Sequence, residues 1–148
     1  FSIIANQLDA GLVILGEGPE RKHLEEVIAE LKLQSRVIMP GFYDYPLTWL
    51  RASDLFVLSS DYEGLPTVLI EALASGTPVV STNCPYGPSE IIENEKQGLL
   101  VPVGDSQALA SGIHKALNQE WDPDLLRRRA SKFLIANQSA AYLKLFGI

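Results

Sequence analysis

Within Ser59–Pro78 (SSDYEGLPTVLIEALASGTP) two carboxylates stand eight residues apart, Glu63 and Glu71. Between them Gly64, Leu65, Pro66 and Thr67 lead into an apolar run. A helix that begins here leaves its first N–H groups unpaired and aimed outward, an arrangement that suits a phosphate. Glu71 lies among Val68, Leu69, Ile70, Ala72 and Leu73, which have the look of a buried helix. A carboxylate in that company needs hydrogen-bond partners, and vicinal ribose hydroxyls would supply two. The same residue would equally suit a solvated stripe or a cap on a neighbouring loop.

Other segments offer chemistry of lower specificity. Gly16-Glu17-Gly18-Pro19-Glu20-Arg21 begins like the dinucleotide fingerprint, but Arg21 replaces the third glycine and Pro19 removes an N–H. A tight strand-to-helix turn is the better reading. At Gly41-Phe42 a glycine lets a flat ligand approach the backbone and an aromatic ring could stack on it; a turn over a packed aromatic has the same sequence. In Asn83–Glu90, Ser89 and Glu90 read as cap and first-turn acid, or as contacts to a diphosphate or sugar. Asp122-Pro123-Asp124 resembles a metal-holding D-x-D, yet a proline entering a helix favours capping. Arg127, Arg128 and Arg129 follow Glu120, Asp122 and Asp124 and read as a solvated helix face. His23 and His114 have no second ligand at zinc spacing, and there is no G-x-S-x-G for a hydrolase triad.

The elements that position these residues follow from periodicity. Leu12–Leu15, Arg36–Met39, Leu55–Leu58, Val79–Ser81 and Leu99–Val103 are nearly continuous apolar runs, as in strands covered on both faces of a parallel sheet. Helical period marks Pro19–Leu33, Thr67–Ser75 and Ser106–Asn118, and everything from Asp124 onward. Gly76 reads as the glycine that ends the second of these helices, and Asp105 or Ser106 as the N-cap of the third. Strand alternating with helix predicts an α/β fold, an open parallel sheet with flanking helices in a Rossmann-like arrangement. In such sheets ligands bind outside the carboxyl ends of the strands, where Glu63 and Gly64 fall.

Composition narrows the classes. A chain of 148 residues, 47% hydrophobic, suits one globular domain. The net charge of −6 argues against nucleic acid as partner. No apolar run reaches the roughly 18 residues that a membrane helix needs. The single cysteine, Cys84, excludes an internal disulfide and fits a reducing compartment.

The stretch DLFVLSSDYEGLPTVLIEALASGTPVV, Asp54–Val80, closely resembles the E-x7-E region of the retaining group 1 glycosyltransferases, enzymes built of two Rossmann-like domains in the GT-B architecture. The resemblance continues through LVILGEGPERKHLE (Leu12–Glu25), RVIMPGFYD (Arg36–Asp44), NCPYGPSEII (Asn83–Ile92) and GLLVPVGD (Gly98–Asp105). YLKLFGI (Tyr142–Ile148) is similar to the closing helix of the family.

This resemblance implies residues 1–148 to be a single C-terminal donor-binding domain, one half of the GT-B pair. The implied reaction transfers a sugar, hexosyl or N-acetylhexosaminyl, from a nucleotide-sugar such as a UDP-sugar to an acceptor hydroxyl with retention. Surface polysaccharide or glycan synthesis is the expected setting. Glu71 would hold the ribose hydroxyls. Glu63, the implied catalytic residue, would approach the donor sugar. Backbone N–H groups at Gly64, Leu65 and Thr67 would face sugar and diphosphate, and Gly41 and Phe42 the base. No cofactor and no metal are expected. Many relatives carry glycine where this chain has Pro66, which has no N–H to offer.

The expected partners are the nucleotide-sugar and an N-terminal acceptor-binding domain, with no nucleic acid and no transmembrane segment. The expected location is the cytoplasm, with peripheral association at the inner membrane face left open. From Val37 through Glu95 the only basic residue is Arg51, against eight acids, too little to neutralise a diphosphate. The family places an Arg and a Lys upstream, after its first strand, and Phe1–Gln7 is similar to the helix that follows them. The chain is therefore expected to be a fragment whose sheet lacks its first, central strand and which alone transfers no sugar. The alternatives are a non-catalytic nucleotide-sugar recognition module and a sugar-nucleotide epimerase of the same architecture. The base, the sugar and the acceptor are not specified.

Overall fold

The computed structural model describes residues 1–147. They divide into two compact units, Phe1–Pro46 and a second from Leu47 onward. In the first, β1 (Leu12–Leu15) pairs in parallel with β2 (Val37–Gly41), and α1 (Arg21–Glu30) connects them. The register shifts by one residue between Ile38 and Gly41, where β2 contains Pro40. Proline has no N–H to give the ladder, so the strand bulges past it. Residues similar to the family's leading helix form only a short 3-10 turn, Ala5–Gln7. Arg36 anchors that segment by donating to the carbonyls of Leu8 and Ala10.

The second unit contains α2 (Pro46–Ala52) from its second residue on, β3 (Phe56–Leu58), α3 (Thr67–Ser75), β4 (Val79–Thr82), α4 (Pro88–Ile91) and β5 (Leu99–Val101). It closes with α5 (Ser106–Leu117), α6 (Pro123–Ser131) and α7 (Ile135–Leu145). Its sheet is parallel in the order β3-β4-β5. All four residues of β4 are buried. Val79 enters one hydrophobic cluster with Leu69, Leu73, Ile91 and Leu126, and Val80 enters another with Leu99, Val101 and Ala116. This is the covering on both faces expected of an apolar run in a parallel sheet. The same expectation fails for β1, where Val13 and Leu15 are each 36% exposed. A two-stranded ladder has few neighbours with which to cover two faces.

The five strands fall where the apolar runs are, with ends displaced by one or two residues. The fold is the expected α/β arrangement of parallel strands and flanking helices. Among the described residues β1 has β2 as its one strand partner, and β3 has β4. The helix α3 matches its expected bounds and ends at Gly76 in the left-handed region, φ 83°, as a terminal glycine does. Asp105 caps α5 by accepting from the Ala108 N–H at 2.8 Å. Helix α2 was not foreseen; Pro46 at its first turn and the apolar pair Leu47 and Leu50 were the available signal. Of the closing run, α7 ends at Leu145 and Ile148 lies outside the described residues.

Leu69 is fully buried between α3 and its neighbours, whereas Tyr62 is 83% exposed. Leu69→Ala is expected to destabilise the second unit by about 2 to 5 kcal/mol. Tyr62→Ala should shift stability by no more than about 0.5 kcal/mol. Urea titrations followed by tryptophan fluorescence check both.

Candidate functional site

Strands β3 and β4 end side by side, and the loop from Ser59 to Pro66 leaves the first of them for α3. Thr82, the last residue of β4, donates its hydroxyl to the carbonyl of Ser60. Ser60 in turn donates its hydroxyl to Glu63 Oε1 at 2.7 Å. The half-buried Glu63 carboxylate is thus oriented by a chain of two hydroxyls that starts in the sheet. A cleft of about 180 Å³ opens beside this loop, lined by Ser59, Asp61, Thr82, Gly104, Asp105 and Leu109 among others.

Pro66 is the N-cap of α3, with φ −72° and ψ 87°, so its ring imposes no strain and its missing N–H interrupts no helical bond. Downstream the Leu69 N–H bonds to the Pro66 carbonyl at 3.0 Å. On either side of Pro66, the N–H groups of Gly64, Leu65 and Thr67 have no acceptor among the described residues. These donors crowd the positive end of the α3 dipole, where an anion is favoured.

Glu71 lies one helical turn beyond Thr67. It is half-buried next to Ala72 and Leu73, which are fully buried. Its carboxylate makes no hydrogen bond and no ion pair among the described residues. Capping of a neighbouring loop, one of the roles open to it from sequence, is therefore not what Glu71 does.

Gly41 and Phe42 belong to the first unit. Gly41 closes β2 with φ 85°, and its carbonyl accepts from the Gly16 N–H at 2.9 Å. A Cβ on Gly41 would lie 2.5 Å from Glu17 Oε1, so a side chain here would collide with the turn after β1. Glu17 is held by Arg21 at 2.6 Å, and Arg21 also donates to the carbonyl of Met39. The segment Gly16–Arg21 is thus the tight turn expected of it. Phe42 is 76% exposed, so its ring is not packed beneath a turn.

The remaining candidates resolve into structural roles. Asp122 caps α6, accepting from the N–H groups of Asp124 and Leu125. Those bonds hold its carboxyl below the usual carboxylate range. Glu90 Oε1 accepts from the Gly87 N–H at 3.2 Å, a capping role, while Ser89 is exposed. Among the described residues no cluster of three or more His, Cys, Asp or Glu side chains could hold a metal ion.

The basic triplet departs from expectation. Arg127 and Arg128 do lie on the solvated face, paired with Asp124 and Asp122. Arg129 is only 5% exposed. Its guanidinium bonds to the carbonyls of Ile91 and Glu90, pairs with Glu93 at 2.8 Å, and stacks over Phe133. Successive helical residues point about 100° apart, so three in a row span about 200° and one of them can fall on the apolar stripe. Arg129 is spaced with Leu126 and Ala130 on the apolar stripe, the signal that would have found it.

Because Glu71 has no partner to lose, Glu71→Gln is expected to leave the fold intact, with a change in stability of no more than about 0.5 kcal/mol by thermal denaturation.

Comparison with known proteins gives a consistent result. Residues 1–133 match the family model described as "Glycosyl transferases group 1". The lipopolysaccharide core biosynthesis glycosyltransferase LpsE of Rhizobium meliloti is 34% identical over 139 residues, covering 90% of this chain and 41% of that protein. The crystal structure of TarM superposes with a TM-score of 0.88 at 27% identity, over 99% of this chain and 31% of that one. The structure of Anabaena Alr3699/HepE in complex with UDP gives a TM-score of 0.77 at 26% identity, over 94% of this chain and 41% of that one. The chain therefore spans less than half the length of each of these relatives. No helix among the described residues is long and apolar enough to cross a membrane.

Proposed function

The chain belongs to the group 1 glycosyltransferases, and from that membership we propose that it is the nucleotide-sugar-binding half of a retaining enzyme of glycan synthesis. One observation carries this reading. At the carboxyl ends of two parallel strands, the unpaired N–H groups of Gly64, Leu65 and Thr67 stand between an oriented carboxylate, Glu63, and an unpartnered one, Glu71.

In this reading Glu71 accepts the two ribose hydroxyls, the N–H groups bind the diphosphate, and Glu63 accepts from hydroxyls of the donor sugar. An acceptor hydroxyl attacks the anomeric carbon from the face the diphosphate leaves. The new C–O bond forms as the old one breaks, and the hydroxyl proton passes to the departing diphosphate oxygen. Stabilisation of that leaving group by fixed N–H dipoles needs no metal.

The relatives support the setting. LpsE is named for lipopolysaccharide core synthesis, and HepE was crystallised with UDP. By analogy the donor is a UDP-sugar, and the acceptor is held by an N-terminal domain at the cytoplasmic face of a membrane. Between Val37 and Glu95 Arg51 is the one basic residue, so further cations must neutralise the diphosphate. The chain by itself is accordingly expected to bind nucleotide-sugars weakly and to transfer none.

Isothermal titration of UDP- and GDP-sugars tests the ribose assignment. Loss of two charge-assisted hydrogen bonds in Glu71→Ala should weaken binding by about 3 kcal/mol or more, roughly a hundredfold. Affinity unchanged by the substitution would refute the role given to Glu71.

A further inference from the structure

The loop that presents the unpaired N–H groups is tied to the sheet through Ser60 and Glu63, and at Gly64 and Pro66 it leans on the loop after β4. Gly87 is buried and has φ 80° and ψ −69°. A Cβ on it would lie 2.3 Å from the Gly64 carbonyl oxygen and 2.5 Å from Pro66 Cδ. Both obstacles are fixed, one backbone and the other a proline ring. The bare Cα of Gly87 is therefore what lets the two loops meet, and it sets where the Gly64 carbonyl can point. In a trans peptide the next N–H points the opposite way. With its carbonyl turned to Gly87, the Gly64–Leu65 peptide must aim the Leu65 N–H away from the β4–α4 loop.

Gly87 is held in turn by α4. Its N–H donates to Glu90 Oε1, the return half of a capping box whose other half a glycine cannot supply. Helix α4 has only four residues, too few to persist without outside support. The buried guanidinium of Arg129 supplies it. Nε donates to the Ile91 carbonyl at 2.7 Å, Nη2 to that of Glu90, and Nη1 pairs with Glu93. Those carbonyls are among the ones a helix end leaves unpaired. Pro88 and Ile91 are themselves fully buried, which locks the turn from its apolar side.

We propose that Arg129 and Gly87 are positioning residues of the donor site. Arg129 immobilises α4, α4 places Gly87, and Gly87 fixes the orientation of the Gly64–Leu65 peptide that binds the diphosphate. The inference rests on the donor-site reading above. It assigns a role in sugar-nucleotide binding to a residue of α6 that touches no ligand. A flexible lysine cannot replace the planar fork that reaches two carbonyls and a carboxylate at once.

The test uses the complete gene product that contains this chain, with UDP and GDP as probes and donor turnover as the second readout. Parent, Glu71→Ala, Gly87→Ala, Arg129→Lys and the exposed neighbour Arg128→Lys are compared well below their melting temperatures. Gly87→Ala and Arg129→Lys are each expected to weaken binding of the preferred nucleotide, and to raise the donor KM, about tenfold. The acceptor KM and the far-ultraviolet circular dichroism should stay as in the parent, and Arg128→Lys should bind as the parent does. A merely structural role would lower the active fraction, and with it apparent kcat, while leaving donor KM unchanged; that result overturns the proposal. If Gly87→Ala does not fold, Arg129→Lys decides, together with hydrogen exchange of the Gly64–Thr67 amides in the parent, which nucleotide must slow. Nucleotide binding lost in Glu71→Ala but within twofold of the parent in both positioning variants overturns this inference and leaves the donor site standing. A parent that binds neither UDP nor GDP overturns the donor-site reading and this inference with it.

Discussion

The burial of β4 is the constraint on which the second unit depends. A strand with a ladder on each edge and apolar clusters on each face is buried along its whole length. Val79 and Val80 face opposite clusters, so the strand cannot slip by one residue without exchanging its two surfaces. Gly98 and Gly112 carry the same tightness outward. A Cβ on Gly98 would lie 2.5 Å from a methyl of Val79, and one on Gly112 would lie 3.1 Å from Val101 and 3.3 Å from Val80. The loops of the candidate site are fastened to the carboxyl end of this strand. Thr82 reaches sideways to Ser60, and the chain beyond it runs through Cys84, also buried, to Gly87.

From that anchor two short routes lead to the candidate site. One passes through hydroxyls, Thr82 to Ser60 to Glu63, and orients a side chain. The other passes through shape, from Gly87 to the Gly64 carbonyl, and orients a peptide. The second is less conspicuous because it contains no polar side chain at the point of contact. Its rigidity comes from Arg129, whose buried charge is tolerated because three groups receive it and an aromatic ring lies under it. Burial of a guanidinium is costly unless it is so satisfied, and removal of one partner would leave a desolvated charge. Arg127 and Arg128, two and one residues earlier, pair with carboxylates in water, where such contacts contribute little.

Glu63 and Glu71 illustrate how differently two acids of one motif are treated. Glu63 is held by Ser60 before any ligand arrives, which reduces the ordering that binding would require. Glu71 is carried on a helix whose neighbouring residues are fully buried, so its backbone is fixed while its carboxylate stays unpaired. In the first unit Gly41 is a backbone position that could hardly be another residue, given its φ of 85° and the approach of Glu17, and Phe42 beside it keeps its ring in solvent.

Periodicity alone determined the parallel α/β class, the positions of all five strands, the bounds of α3 and the capping roles of Asp105 and Asp122. These are local consequences of apolar spacing and of helix-end chemistry, and both are written within a few residues. The spacing of Glu63 and Glu71 is likewise legible in the sequence, as the mark of the candidate site. What only the tertiary structure decided are relations between residues far apart in the chain. The meeting of Gly87 with Gly64, the burial of Arg129 against α4 and the missing partner of Glu71 are of this kind. So is the exposure of β1, whose LVIL is more apolar than the VVST of the buried β4. A run of apolar residues states that it can be buried; how many neighbours the fold supplies to bury it is a property of the assembled sheet.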